Sequence, residues 1–356
     1  VNRHKTILVA PLNWGLGHAT RCIPIIKGLL SYSYKVYIAS DGESLRLLRK
    51  EFPGLDYVEL PSYDIRYPKK GKYFKAKLLV KLPGINKTAK RERKLVKALV
   101  EDGQIDGIIS DNRLGVYHKD VPSAFITHQI NVLSGSTSKM SSKLHQKIIR
   151  KFDRCFVPDV EGATNLSGKL GHPTKLRFKP HYLGLLSRMK KQALPVEYDI
   201  IALLSGPEPQ RSMLEELLME QLQDSDKRIL LIQGRIEAEQ TTTKKGAIEV
   251  VNFMTTKQLE YAINASGLIV ARSGYTTLMD LAVLEKNAFF IPTPGQYEQE
   301  YLAKRLKEKG IAPFSKQKDF KVDMLNEVSL YKGLKGFGRH NDLNGLIGFL
   351  EGKGEF

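Results

Sequence analysis

The chain has 356 residues, 42% of them hydrophobic and 26% charged. That is length for about two domains with a core each, and it excludes wholesale disorder. Net charge is +18, carried entirely by the first half: residues 1–195 hold 36 Lys+Arg against 15 Asp+Glu, residues 196–356 hold 20 against 23. A basic half of this kind implies an acidic counterpart, whether nucleic acid, an anionic membrane surface or a phosphorylated substrate.

The elements read in chain order as alternating strands and helices. Thr6–Ala10 is a short apolar strand ending at Pro11, followed by a glycine loop and a helix from about 19 to 30. Strands follow at 35–40 and 56–60, with a helix at 44–52 between them. Further short strands fall at 107–110, 124–127 and 154–157, with helical patterns at about 86–102 and 138–152. The second half repeats the rhythm, with strands at 199–204, 228–233, 248–253, 268–271 and 288–291. Its helices fall at 212–222 and near 256–265, 276–285 and 298–309. Such βαβ alternation predicts parallel sheets covered on both faces. The expected division is a first Rossmann-like domain over 1–180, a linker at 181–198, a second Rossmann-like domain over 199–335 and a helical C-terminal segment over 336–356. Two such domains would face each other across a cleft, a common ligand site.

Three strand–helix loops carry candidate chemistry. Asn13-Trp14-Gly15-Leu16-Gly17-His18 follows the first strand. Gly15 and Gly17 allow a sharp turn and close backbone approach, and a helix start offers N–H donors to an anion. His18 titrates near neutrality, as a general base should. The same residues also suit a plain tight turn whose histidine caps the helix, and a short Gly-x-Gly does not decide between the two. Arg272-Ser273-Gly274-Tyr275-Thr276-Thr277 repeats the arrangement in the second half. Its helix start suits a diphosphate, and Asp280, one turn on, suits ribose hydroxyls, although a Ser/Thr cap beside a solvated aspartate reads equally from these residues. The loop from Pro292 to Glu300 delivers Glu298, Gln299 and Glu300 at a third helix start, either as amide and carboxylate partners for sugar hydroxyls or as an acidic first turn. No Cys/His ligand spacing, serine-hydrolase elbow or P-loop occurs, so neither a metal nor a cofactor is expected.

Taken in order, these motifs resemble the GT-B glycosyltransferases, and within them the family 28 enzymes of peptidoglycan synthesis that move N-acetylglucosamine onto a lipid-linked acceptor. Arg272-Ser273-Gly274, Asp280 and Pro292 to Gln299-Glu300 are similar to that family's donor-binding half. Phe253-Met254 is similar to its Phe-Ile pair, whose second residue binds uracil through the backbone. Gly15-Leu16-Gly17-His18 resembles its glycine loop ending in the candidate base. The resemblance further implies that Ser205, Gly206 and Arg211 stand at a phosphate loop, that Arg188 lies near the phosphates, and that His128 and Asn131 serve the acceptor. Glu300 replaces a family glutamine, and two prolines enter the phosphate loop. The implied fold is α/β GT-B, with two Rossmann-like domains whose parallel sheets face a cleft. The implied activity is inverting transfer from a UDP-sugar such as UDP-N-acetylglucosamine, with His18 as base and Asp111 in reserve for that role or for acceptor contact. The run Gly17-His18-Ala19-Thr20-Arg21-Cys22 is also similar to UDP-sugar hydrolases of nonulosonic-acid biosynthesis, which is the alternative reading.

Two basic amphipathic stretches mark the first half. Residues 66–97 hold 13 Lys+Arg and one acid, Glu92, among Tyr67, Tyr73, Phe74 and Leu78 to Leu82. Lys139, Lys143, Lys147, Arg150 and Lys151 form a stripe beside Met140, Leu144, Ile148 and Phe152. Both suit an anionic membrane surface carrying a lipid-linked or glycolipid acceptor, and no nucleic-acid module is recognisable. A membrane-spanning run of roughly 20 apolar residues is missing, as is a signal-peptide core, and Cys22 and Cys155 are too few for a disulfide framework. The expected location is therefore the cytoplasm, peripherally on the inner face of the membrane.

Overall fold

The computed structural model describes residues 4–63, 74–206, 208–235, 237–337 and 342–352, with the backbone alone over 74–82. The chain forms two compact units. The first gathers the described parts of Val1–Ile65, Lys75–Leu186 and Gly338–Phe356, and the second those of Ser187–Phe337.

In chain order the first unit holds β1 (Thr6–Pro11), α1 (Gly17–Ser31), β2 (Lys35–Ser40), α2 (Gly42–Glu51), β3 (Asp56–Glu59), α3 (Phe74–Glu101), β4 (Gly107–Asp111), β5 (Ser123–Ile126), α4 (Ser138–Ile149), β6 (Arg154–Val157) and β7 (Pro180–Tyr182). The strands make one parallel sheet in the order β3-β2-β1-β4-β5-β6-β7. Ile7 to Ala10 are wholly buried, because helices cover both faces of a central parallel strand and leave no polar side to alternate with. Leu8, Ala10, Ala39 and Ile108 pack with Val96 and Leu99 of α3 on one face.

The second unit holds β8 (Tyr198–Leu203), α5 (Gln210–Leu222), β9 (Ile229–Ile232), β10 (Thr242–Lys245), β11 (Ile248–Val251), α6 (Thr256–Asn264), β12 (Ser266–Ala271), α7 (Tyr275–Val283), β13 (Ala288–Phe290) and α8 (Tyr297–Glu308). Its sheet runs β10-β11-β9-β8-β12-β13, parallel except for β10. The core gathers Ile201-flanking residues Ile200 and Ala202 with Leu214, Leu218 and Leu222 of α5, and with Val270 and Phe289.

Several boundaries depart from expectation. Pro180–Tyr182 joins the first sheet beside β6, so the segment expected to be linker from residue 181 begins as strand. β10 escapes sequence reading because Thr242–Lys245 is exposed throughout and carries no apolar alternation. The C-terminal helix α9 (Asn344–Glu351) returns to the first unit, where Lys5 Nζ donates to the Leu350 carbonyl at 2.9 Å and Phe349 packs on Phe156 at 5.8 Å. Ile148 and Phe152 do not belong to an outward apolar stripe. Phe152 is buried against Phe125 at 4.7 Å and Tyr117 at 5.0 Å, leaving Met140 and Leu144 outside. The basic stretch through residue 82, with Tyr67, Tyr73 and Phe74, lies outside the described side chains, as does Pro207.

Candidate active site

In the first sheet the strand order reverses between β1 and β4, and in open parallel sheets ligands bind beyond the strand ends at such a point. Pro11 and Asp111 are register partners there, and Leu12 N–H donates to the Asp111 carbonyl at 2.9 Å. The chain then turns through Gly15, whose φ of +82° is the left-handed region glycine tolerates, and enters α1. His18 is the second residue of that helix and returns toward Asp111, with His18 Nδ1 2.8 Å from Asp111 Oδ1.

Asp111 is the centre of a buried cluster. Arg21, only 1% exposed, donates from Nε to Oδ2 and from Nη2 to Oδ1, closing a two-armed ion pair. Its Nη2 also stands 2.7 Å from His18 Nδ1, and its Nη1 stands 2.9 Å from His128 Nδ1. The Cys22 thiol approaches Asp111 Oδ2 at 3.7 Å, and the Asn112 amide reaches Oδ1 at 3.3 Å. Burial alone would raise the Asp111 carboxyl, but the Arg21 guanidinium and His18 outweigh it and hold the group well below the usual carboxylate range. His18 is lowered from its ordinary value by burial and then by Arg21, with Asp111 acting in the opposite sense. Toward the Asp111 carboxylate Nδ1 donates, and in that tautomer the Nε2 lone pair is left for chemistry; toward the Arg21 guanidinium the same nitrogen could only accept. Among the described residues nothing bonds to Nε2, and the side chain keeps 15% of its surface exposed.

A second buried pair holds the loop that precedes His18. Arg113 donates to Asp41, to Glu92 at 2.9 Å and to the Pro11 carbonyl at 3.1 Å, while Asp41 accepts from the Asn13 amide at 3.1 Å. Asn131 is occupied in the same structural way, donating to the Lys169 carbonyl at 2.8 Å and accepting from Gln146 at 3.2 Å.

The second unit presents a comparable edge, where β8 and β12 lie side by side with Leu203 opposite Ala271. Gly274 is the N-cap of α7, which has no side-chain cap and no acidic residue in its first turn. Thr276 and Thr277 follow, and the Thr277 hydroxyl bonds to nothing among the described residues. Asp280 accepts from the Ser187 hydroxyl at 2.6 Å through Oδ1. Burial pushes its carboxyl up to about 6, against the pull of Arg188 and the Ser187 bond. Arg188 itself donates to Thr256 Oγ1 at 3.0 Å. The Phe253 carbonyl is taken by Gln240 at 2.6 Å and its N–H by Asn252 at 2.9 Å. At Met254 both backbone groups are without a partner among the described residues. Ser205 and Gly206, the latter at φ +99°, follow β8 as an open turn.

Other residues named from the sequence are engaged within the second unit. Arg272 is buried, donating to the carbonyls of Ile291 (2.9 Å), Pro292 (3.1 Å) and Gln210 (2.8 Å) and to Gln317 Oε1 (2.8 Å). Burial brings its guanidinium down to about 9. Ser273 Oγ donates to the Gln299 carbonyl at 2.8 Å, and Gln299 Oε1 accepts from Thr293 N–H at 2.8 Å. Glu300 accepts from Gly295 N–H at 3.1 Å. Arg211 is held by Glu208 and by the Gly234 carbonyl at 2.8 Å. These groups shape the loops of the second unit. Among the described residues no three His, Cys, Asp or Glu side chains gather as metal ligands. Sequence reasoning passed over Arg21 as a site residue. Its signal was the i, i+3 spacing from His18, which places both on one helix face.

Comparison with known proteins bears on the family and the fold. Residues 210–334 match the glycosyltransferase family 28 C-terminal domain. An uncharacterized glycosyltransferase of Methanosarcina acetivorans is 23% identical over 325 residues, covering 83% of this chain and 82% of the relative. The UDP-N-acetylglucosamine–N-acetylmuramyl-(pentapeptide) pyrophosphoryl-undecaprenol N-acetylglucosamine transferase of Clostridium tetani is 24% identical, covering 94% of each chain. Among solved structures, Acinetobacter baumannii MurG aligns with TM-score 0.54 at 15% identity over 93% of both chains. The glycotransferase of kitacinnamycin aligns with TM-score 0.59 at 14% identity, over 92% of this chain and 90% of that one. The chain is a glycosyltransferase of the GT-B fold, related to family 28, with that family's C-terminal domain in its second unit.

Proposed function

We propose that the enzyme transfers a sugar from a UDP-sugar, such as UDP-N-acetylglucosamine, to a hydroxyl of a lipid-linked or glycolipid acceptor, with inversion and without a metal. The observation that carries this reading is the His18 imidazole, held at Nδ1 by Asp111 and open at Nε2. In that state it accepts the proton of an acceptor hydroxyl as the oxygen attacks the anomeric carbon. The ring is oriented for this by the carboxylate 2.8 Å away. Asp111 serves as this partner rather than as the base, because a carboxylate so far below the ordinary range has little affinity for a proton.

On the donor side, the uncapped start of α7 and the Thr277 hydroxyl suit the leaving diphosphate, whose charge grows in the transition state. The unpartnered backbone of Met254 suits the donor and acceptor edge of uracil, and Asp280 Oδ2 suits ribose hydroxyls. Helix α4 supports a membrane-borne acceptor at the inner, cytoplasmic face. It exposes Met140 by 59% and Leu144 by 50% between Lys139, Lys143 and Lys147. No described helix is long and apolar enough to cross a membrane.

The test follows radiolabelled UDP-N-acetylglucosamine with pure protein, with and without a bacterial lipid extract, tracking UDP and label together. Label entering the lipid phase, with UDP released only when lipid is present, is the expected result. Free sugar released without lipid would replace transfer by hydrolysis.

A further inference from the structure

Beside the carboxylate–histidine pair stands a third group that neither the fold nor the reaction class requires. We propose that Arg21 is the positioning residue of this site: clamped on Asp111 and touching the rings of His18 and His128, its guanidinium fixes the His18 imidazole and cancels the carboxylate charge behind it. The inference rests on reading His18 as the proton acceptor and deepens that reading.

The argument starts from what the pair would do alone. A buried carboxylate within hydrogen-bond reach of an imidazole favours the charged ring, and a charged ring cannot take a proton from a hydroxyl. Arg21 answers this by geometry. Its Nε and Nη2 occupy both Asp111 oxygens, so the carboxylate meets His18 as half of a neutral pair. The same Nη2, 2.7 Å from His18 Nδ1, opposes a positive charge on the ring. His18 thus keeps the orienting bond to Asp111 while remaining ready to accept.

From α1 come Arg21 and the Cys22 thiol, from the end of β4 Asp111 and the Asn112 amide, and from the loop after β5 His128. His145 of α4 interacts in turn with His128. Arginine fits this place and lysine does not, since one guanidinium reaches two carboxylate oxygens and two histidine rings at once, where an ammonium is a single point.

The test needs no substrate. Histidine-labelled protein is titrated by imidazole NMR, with the His18→Gln variant assigning the signal. Wild-type His18 is expected to titrate below 6.5 and, when neutral, to carry its proton on Nδ1. Arg21→Met should raise the titration by about one pH unit or more. Arg21→Lys keeps a buried charge and should fall between the two, which keeps the test open if the methionine variant does not fold. Wild-type His18 titrating above 6.5, or an unchanged titration in a folded Arg21 variant, would overturn the proposal. Where a transferase assay is in hand, the acid limb of kcat/KM should follow the NMR shift. A shifted titration with an unmoved limb would keep Arg21's role and remove His18 from the proton transfer.

Discussion

Pro11 and Asp111 are paired across β1 and β4, so the loop leaving the first strand begins beside the last residue of the fourth. That register is why a helix start six residues further on brings His18 Nδ1 to 2.8 Å from the Asp111 carboxylate. The pairing makes His18 a ring with one oriented nitrogen and one open nitrogen. His18→Ala is expected to keep UDP affinity, because the groups proposed for uracil and diphosphate stand in the second unit, while turnover falls at least ~100-fold. Isothermal titration with UDP and a single-turnover assay check the two halves. Full activity in the variant would remove His18 from the chemistry.

The Arg21–Asp111 pair predicts an acid limit to stability. Asp111 in the folded protein is held below its ordinary 3.8, so the unfolded chain binds the proton more readily. Its stabilisation is complete above the unfolded value and is lost as pH falls from about 4 toward the folded value. Asp111→Asn strands a buried guanidinium, at a cost of about 3–5 kcal/mol. Thermal unfolding from pH 3 to pH 7 should show a lower Tm for the variant at pH 7 and a flatter decline below pH 4. Parallel curves for the two proteins would count against the pair.

The sheets were legible in the sequence because short apolar runs between glycines and prolines can only be buried strands in an alternating α/β chain. Thr242–Lys245 was not, since an exposed edge strand of polar residues is fixed by its backbone pairing with β11 alone. In the site, His18 and Asp111 were legible as chemistry at strand ends. Arg272 was legible as a motif but not as a direction. Its side chain turns to four oxygens of neighbouring loops, and contacts so distant in sequence leave no local pattern. Gln299 and Arg211 follow the same rule, their polar groups being consumed in holding the loops they stand on.

Asp280 offers a test in which stability and binding move oppositely. Its carboxyl is pushed up to about 6, so in the range from about 4 to 6 the folded state binds the proton more tightly than the unfolded chain. Stability contributed by this group therefore declines as pH rises through that range, leaving a cost on the order of 2 kcal/mol above it. Asp280→Asn should raise Tm at pH 8 and change it little at pH 4. The same variant should bind UDP about tenfold more weakly if the carboxylate accepts from ribose hydroxyls, one lost charged hydrogen bond being worth about 1.5–3 kcal/mol. Unchanged UDP affinity alongside the raised Tm would leave Asp280 a structural partner of Ser187.

Helix α4 carries the last prediction. Met140 and Leu144 stand one turn apart on its surface, with Lys139, Lys143 and Lys147 exposed beside them. Apolar side chains so placed gain from insertion at a headgroup boundary, and each lysine near an anionic surface adds about 1 kcal/mol. Wild-type protein should co-sediment with phosphatidylglycerol vesicles and not with phosphatidylcholine vesicles, and high salt should weaken the binding. Met140→Glu with Leu144→Glu should reduce vesicle binding about tenfold or more. Because both side chains face solvent, the pair should leave Tm and UDP affinity unchanged. Vesicle binding that survives the double variant would move the membrane contact off α4. Salt-sensitive binding to RNA with none to vesicles would instead give the basic half a nucleic-acid partner.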